Sequence, residues 1–205
     1  MIIAGIDFSL NSTAITIFDN SLPDEKYIFF NVYRKLTKKR LEIMSSANIE
    51  LIKHNNVQVI NDENEKILDA IDTTNIIFNV VKNCDFVAME GFAFNARGNR
   101  LAELSGYQYL LRAELIHKKI PFKIYPPLTI KKFAGYGRYT KEEMIDIFIK
   151  EDNIKLAKQI AEMDNRNGKP VDDIVDSYFV CKKLQSDLNK GSLKILLNGN
   201  THQKT

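Results

Sequence analysis

The chain has 205 residues, 44% of them hydrophobic and 27% charged, which suits one globular domain with a proper core and excludes a disordered or fibrous protein. No apolar run reaches the ~20 residues that cross a bilayer, and the N-terminus lacks the basic region and cleavage site of a secretory signal, so a cytoplasmic protein is expected. A net charge of +3 mildly favours a polyanionic partner, well short of ribosomal-style basicity. The two cysteines, Cys84 and Cys181, sit in apolar stretches without metal-type spacing and read as reduced core thiols.

Ile2-Ile-Ala-Gly-Ile6 reads as a buried strand, because β-branched residues suit a covered, pleated surface. It ends on a carboxylate, Asp7. A buried charge needs compensation, so Asp7 either meets a cation or caps a turn through Ser9 or Asn11. Strands are expected again at 13–18 and 26–33, which together suggest an antiparallel meander. The basic segment Arg34, Lys35, Lys38, Lys39 and Arg40 follows, either as a solvated face or as a phosphate contact. Residues 41–61 are ambiguous, with a hairpin over 48–60 as one reading.

A helix is expected over 62–82, with Asp62 as N-cap and an apolar set at Ile67, Leu68, Ile71, Ile76, Ile77, Val80 and Val81. Residues 83–90 form a short strand that again terminates in an acid, Glu90. A loop with Phe92, Phe94 and Arg97 leads into a helix from Arg100 to Lys118. Pro121 to Tyr125 is a strand that Pro126-Pro127 ends, and residues 128–133 make a helical turn. Thr140 caps a helix at 141–150 over Glu143, and further helices are expected at 154–163 and 171–187. No repeat or linker interrupts the chain. One domain over 1–188 with a fraying tail at 189–205, built as a mixed α/β sheet, is the expected organisation.

The acids carry the chemical signal. Asp7 and Glu90 each end a strand, and Asp173 and Asp176 lie three apart on one face of the last helix, with Asp172 directed elsewhere. Acids in a first helical turn favour the dipole, which would account for Asp172 and Asp173 without any ligand. Asp176 is harder to dismiss, since apolar residues flank it on nearly every side. Four such acids fit a hard cation such as Mg²⁺ or Mn²⁺, and no His or Cys cluster suggests zinc.

Gly-Ile-Asp-Phe-Ser at 5–9, Ala-Met-Glu-Gly-Phe at 88–92, Gly-Tyr-Gly-Arg-Tyr-Thr-Lys at 135–141 and Asp-Asp-Ile-Val-Asp-Ser at 172–177 occur in an order that resembles the RuvC family of Holliday-junction resolvases. The resemblance spans residues 1 to about 185 and implies a ribonuclease H-like mixed β-sheet flanked by helices. It implies that Asp7, Glu90, Asp173 and Asp176 ligate two Mg²⁺ or Mn²⁺ ions, ~3.5–4 Å apart, for in-line phosphodiester hydrolysis. It matches Lys141 to a lysine near the scissile phosphate, with an exposed lysine in a first helical turn as the alternative. Phe92 or Phe94 is either a wedge at the branch point or core. Arg97, Arg100, Lys131, Lys132 and Arg138 would touch the DNA backbone.

The implied protein is a homodimeric endonuclease acting on Holliday junctions and related branched DNA, since a two-fold junction calls for a two-fold protein. The Asn/Ile/Lys-rich composition suggests an AT-rich source such as a phage or plasmid in a bacterial host. Two departures stand out: Ser177 where the family has Ala, and no recognisable pattern over 34–61. The alternatives are an actin-like or sugar-kinase-type phosphotransferase, which would need a glycine soon after Asp7, and a non-cleaving junction-binding protein, which would not need four acids.

Overall fold

The computed structural model describes residues 1–45, 47–54, 62–92, 99–164 and 166–191. Within them six strands form one sheet in the order β4-β3-β2-β1-β5-β6. β1 (Ile2–Asp7), β2 (Ser12–Asp19) and β3 (Tyr27–Tyr33) make the expected antiparallel meander. β5 (Phe86–Glu90) lies parallel to β1, and β6 (Phe122–Tyr125) parallel to β5. Helix α1 (Lys38–Ser45) precedes β4 (Ile49–Lys53), which pairs parallel with β3. The remainder of the hairpin expected over 48–60 falls on residues 55–60, outside the described residues.

Side chains alternate across the sheet, so each face needs its own cover. Ile3, Ala14, Phe18, Phe29 and Ala88 face one side. There α4 (Pro127–Ala134), α5 (Lys141–Phe148), α6 (Lys155–Ala161) and α7 (Val171–Asn189) complete the core. Ala4, Ile6, Ile15, Val87 and Met89 face the other side, under α2 (Glu63–Val81) and α3 (Asn99–His117). Tyr178 of α7 sits edge-on to Phe148 at 4.9 Å and to Tyr27 at 5.1 Å. Burying a ring of this size contributes roughly 1.5–3 kcal/mol, which makes this aromatic contact a principal clamp of α7 on the sheet.

A glycine sets how closely α7 lies. A Cβ at Gly5 would stand 2.3 Å from Cys181 N and 2.4 Å from Ser177 O, so only the bare backbone of β1 admits the helix. Ser177 is at home in this contact, because its Oγ donates to Ile174 O at 2.8 Å and shares a hydrogen bond with Thr16 Oγ1 of β2 at 2.8 Å. The hydroxyl therefore answers a threonine on the neighbouring strand, and no buried polar atom is left orphaned by it. Cys84 and Cys181 are buried free thiols, as expected.

Helix α2 corrects the sequence reading. Ile67, Leu68 and Ile71 are exposed, while Asp69, Ala70, Thr73 and Thr74 face inward with Ile77 and Val81. The reason is Arg34 at the end of β3, whose Nη1 and Nη2 donate to Asp69 Oδ1 and Oδ2, each at 2.6 Å. Arg34 is thus neither a solvated face nor an open phosphate contact. With Asp69 turned inward to pair Arg34, Ile67, Leu68 and Ile71 are left on the outer side of the helix, and an Asp69 buried without that partner would be costly.

Candidate active site

Ile6 of β1 pairs with Met89 of β5, so the next residues, Asp7 and Glu90, end two neighbouring parallel strands side by side. Ile6 and Met89 pack under α2 and α3, and the alternation of the strands turns the two acids towards the α7 face. The close approach of α7 at Gly5 then brings in Asp176, the residue before Ser177. One carboxylate oxygen from each of Asp7, Glu90 and Asp176 lies within 4.8 Å of the other two. The turn after β1 is closed by Thr13, whose Oγ1 donates to Ser9 O at 2.7 Å, so that turn needs no cap from Asp7.

Two like charges about 5 Å apart repel by roughly 3 kcal/mol at an effective dielectric of about 20. The proton affinities record this. Burial, then the charges of Glu90, Asp176 and Asp173, raise the pKa of Asp7 well above the usual carboxylate range, and Lys141 only partly offsets them. Burial and Glu90 push Asp176 up to about 7. Burial likewise raises Glu90, against a hydrogen bond with Asp7 and the positive charges of Lys141 and Lys131.

Two lysines complete the cluster. Lys141, the first residue of α5, donates from Nζ to Asp172 Oδ2 at 2.6 Å and lies 3.9 Å from Asp176 and 4.0 Å from Asp173. Its position is fixed by the expected cap, since Thr140 Oγ1 accepts from Glu143 N while Glu143 Oε2 accepts from Thr140 N. Burial would lower the pKa of Lys141, but the bond and charge of Asp172 outweigh it and raise it. Lys169 Nζ donates to Asp173 Oδ2 at 3.0 Å and to Ser9 Oγ at 3.2 Å.

Three of the four expected acids thus converge. Asp173 is buried beside them but engaged by Lys169, and burial raises its pKa against that lysine's pull. Asp172, expected to point away, is instead buried and bound to Lys141, because residues 172 and 176 are one turn apart and share a face of α7. Lys169 and Asp172 are the residues of this cluster that the sequence reading left out. The signal for Lys169 was its spacing four residues before Asp173.

Of the expected DNA contacts, Lys132 and Arg138 are exposed, and Lys131 donates from Nζ to Tyr139 O at 2.6 Å. Phe92 is half-buried, with the Arg112 guanidinium 5.4 Å from its ring centre. Phe94 and Arg97 lie outside the described residues; Arg100 belongs to the first turn of α3. An oxygen-only donor set of this kind fits a hard divalent cation rather than zinc.

Fold and site together define an α/β protein of ribonuclease H-like architecture with a carboxylate cluster across its strand ends. The structure of RuvC from Thermus thermophilus matches with a TM-score of 0.59 at 13% identity, over 96% of this chain and 100% of that one. The structure described as T. thermophilus RuvC in complex with Holliday junction substrate gives 0.60 at 15% identity, over 96% and 99%. The chain has a RuvC-like fold. No protein-family model and no curated protein matches its sequence.

Proposed function

We propose that the chain is a metal-dependent, structure-selective endonuclease that nicks Holliday junctions and related branched DNA. The observation that carries this reading is the convergence of Asp7, Glu90 and Asp176 at the strand ends of a RuvC-like fold. A RuvC of that fold has been solved with a Holliday junction as its substrate, which supplies the substrate class.

Asp7, Glu90 and Asp176 would hold Mg²⁺ or Mn²⁺, joined by Asp173 once Lys169 releases it, with two ions per site as the resemblance implies. Bound there, such ions neutralise phosphate charge and lower the pKa of a bound water. Lys141 stands at the rim, where its ammonium can hold a non-bridging phosphate oxygen. Lys131, Lys132 and Arg138 lie along α4 and the segment after it, a run suited to the DNA backbone. Phe92 would meet an unstacked base at the branch, and we assign DNA contact to Phe94, Arg97 and Arg100 as well. Water adds to the phosphorus in line with the leaving 3′-oxygen, which departs as a 3′-hydroxyl and leaves a 5′-phosphate.

A homodimer would present two such sites to the two strands of a junction. We assign the chemistry to residues 1–188, in a phage-encoded protein working in the cytoplasm of a bacterial host; of the tail expected over 189–205, residues 192–205 lie outside the described residues.

The test is a synthetic four-way junction, beside a linear duplex, incubated with Mg²⁺ or Mn²⁺. Paired nicks near the crossover, absent with chelator and absent on the duplex, are the expected result. Binding without nicks would favour the non-cleaving alternative, and ATP hydrolysis without nicks the phosphotransferase.

A further inference from the structure

The acids of α7 are divided between two tasks. Asp176 joins the converging trio, whereas Asp172 and Asp173 are each matched to one lysine from outside the helix. The Asp172 pairing is the tighter of the two. The residue is 7% exposed, its Oδ2 accepts from Lys141 at 2.6 Å, and its Oδ1 is buried with no partner among the described residues. Its carboxylate is not one of the three that gather around a common point.

Lys141 itself is 55% exposed, and a four-carbon stem leaves an unanchored ammonium free to swing into solvent. Its Nζ stands 3.9 Å from Asp176, so a divalent ion drawn into the trio would repel it. Only a counter-charge outside the trio can keep the ammonium at the rim under those conditions. The capping box at Thr140 and Glu143 fixes the lysine's backbone, and Asp172 fixes its head.

We propose that Asp172 is a positioning residue, which anchors the Lys141 ammonium beside the carboxylate trio so that it remains there to meet a phosphate when the trio is filled. This role rests on the nuclease reading of the same site. It deepens that reading by separating the five acids into cation holders and a lysine anchor.

Three measurements test it on the full chain. In single-turnover cleavage of a four-way junction, Asp172→Asn lowers the rate by about 10–100-fold, the size seen when a supporting partner of a site residue is removed. In a Lys141→Ala background the same change costs nothing further, because the two residues act as a unit. Asp172→Glu, which keeps the charge, recovers part of the loss and guards against a mere folding defect. Calorimetric titration with Mn²⁺ finds the affinity of Asp172→Asn within about twofold of wild type, against a loss of tenfold or more for Asp176→Asn.

The third readout needs no cleavage. Acylation of surface amines by an N-hydroxysuccinimide ester, followed by mass spectrometry, labels Lys141 slowly in the wild type with or without Mn²⁺. Asp172→Asn speeds this several-fold and leaves Lys150 unchanged. Rapid labelling of Lys141 in Mn²⁺-loaded wild type overturns the proposal. So does an Asp172→Asn variant that loses Mn²⁺ as Asp176→Asn does, or a double variant whose losses multiply. A wild type that cuts no branched DNA overturns the nuclease reading instead, and the labelling still decides the anchor.

Discussion

The Asp69 carboxylate and the Asp7–Glu90–Asp176 trio are both assembled from distant parts of the chain, and they solve the problem of a buried acid in opposite ways. Asp69 accepts from both terminal nitrogens of Arg34 and from the Tyr107 hydroxyl. Arg34 is itself held by Leu10 O at 2.7 Å and Thr73 Oγ1 at 2.8 Å. Burial alone would raise the pKa of Asp69, but these hydrogen bonds and the Arg34 charge bring it below the usual value. In the trio every pKa is raised, with burial the leading cause and like charges adding to it for Asp7 and Asp176. An acid whose donors all come from the chain is a structural joint. Acids held against one another, with one lysine at their rim, are set to receive positive charge from outside.

The sharpest way to break this contrast is to neutralise one member of each group. Glu90→Gln should reduce junction cleavage on the order of a thousandfold, equivalent to about 4 kcal/mol of lost transition-state stabilisation, while the protein stays folded by circular dichroism. Asp69→Ala should do the reverse. Leaving Arg34 buried without its counter-charge costs about 3–5 kcal/mol in urea unfolding, and the cleavage rate per folded molecule stays at the wild-type value.

Acid separates the two groups by sign. The depressed pKa of Asp69 gives stability that is present above about 3.9 and is lost as pH falls through its folded value. The trio acts oppositely. With Asp176 raised to about 7, the folded state binds more protons than the unfolded chain between about 4 and 7. Metal-free protein therefore gains stability from this site as pH falls from 7.5 to 5.5. Thermal melts at those two pH values should show the gain in the wild type and a smaller one in Asp176→Asn. A milder effect is expected at the cap that seats Lys141, where Thr140→Ala should cost about 1 kcal/mol in the same unfolding assay.

Much of the site was legible because its carriers are periodic. Apolar runs ending in Asp7 and Glu90 announced two strand ends, and the apolar surroundings of Asp176 announced an acid aimed inward. The capping pair Thr140 and Glu143 was readable from spacing alone, as were the strands and helices of the sheet's middle. What was not legible depends on partners far away in sequence. The exposed Ile67, Leu68 and Ile71 looked like a core face, because nothing local reveals that Arg34 draws Asp69 inward. The parallel pairing of β4 with β3 leaves no local trace either, since a strand's partner is set by topology. Asp172 was misdirected for a simpler reason: the three-residue spacing to Asp176 from Asp173 drew attention away from the equally good four-residue spacing.

The central claim is that Asp7, Glu90 and Asp176 stand too close for all three to be ionised until a divalent cation joins them. Thermal unfolding of wild type and Glu90→Gln, each with chelator and then with millimolar Mn²⁺, tests this most directly. The account predicts that Mn²⁺ raises the wild-type Tm by several degrees, whereas Glu90→Gln melts higher than wild type in chelator and gains little from the ion. A wild-type Tm indifferent to Mn²⁺, together with a Glu90→Gln variant that melts lower than wild type in chelator, would contradict it.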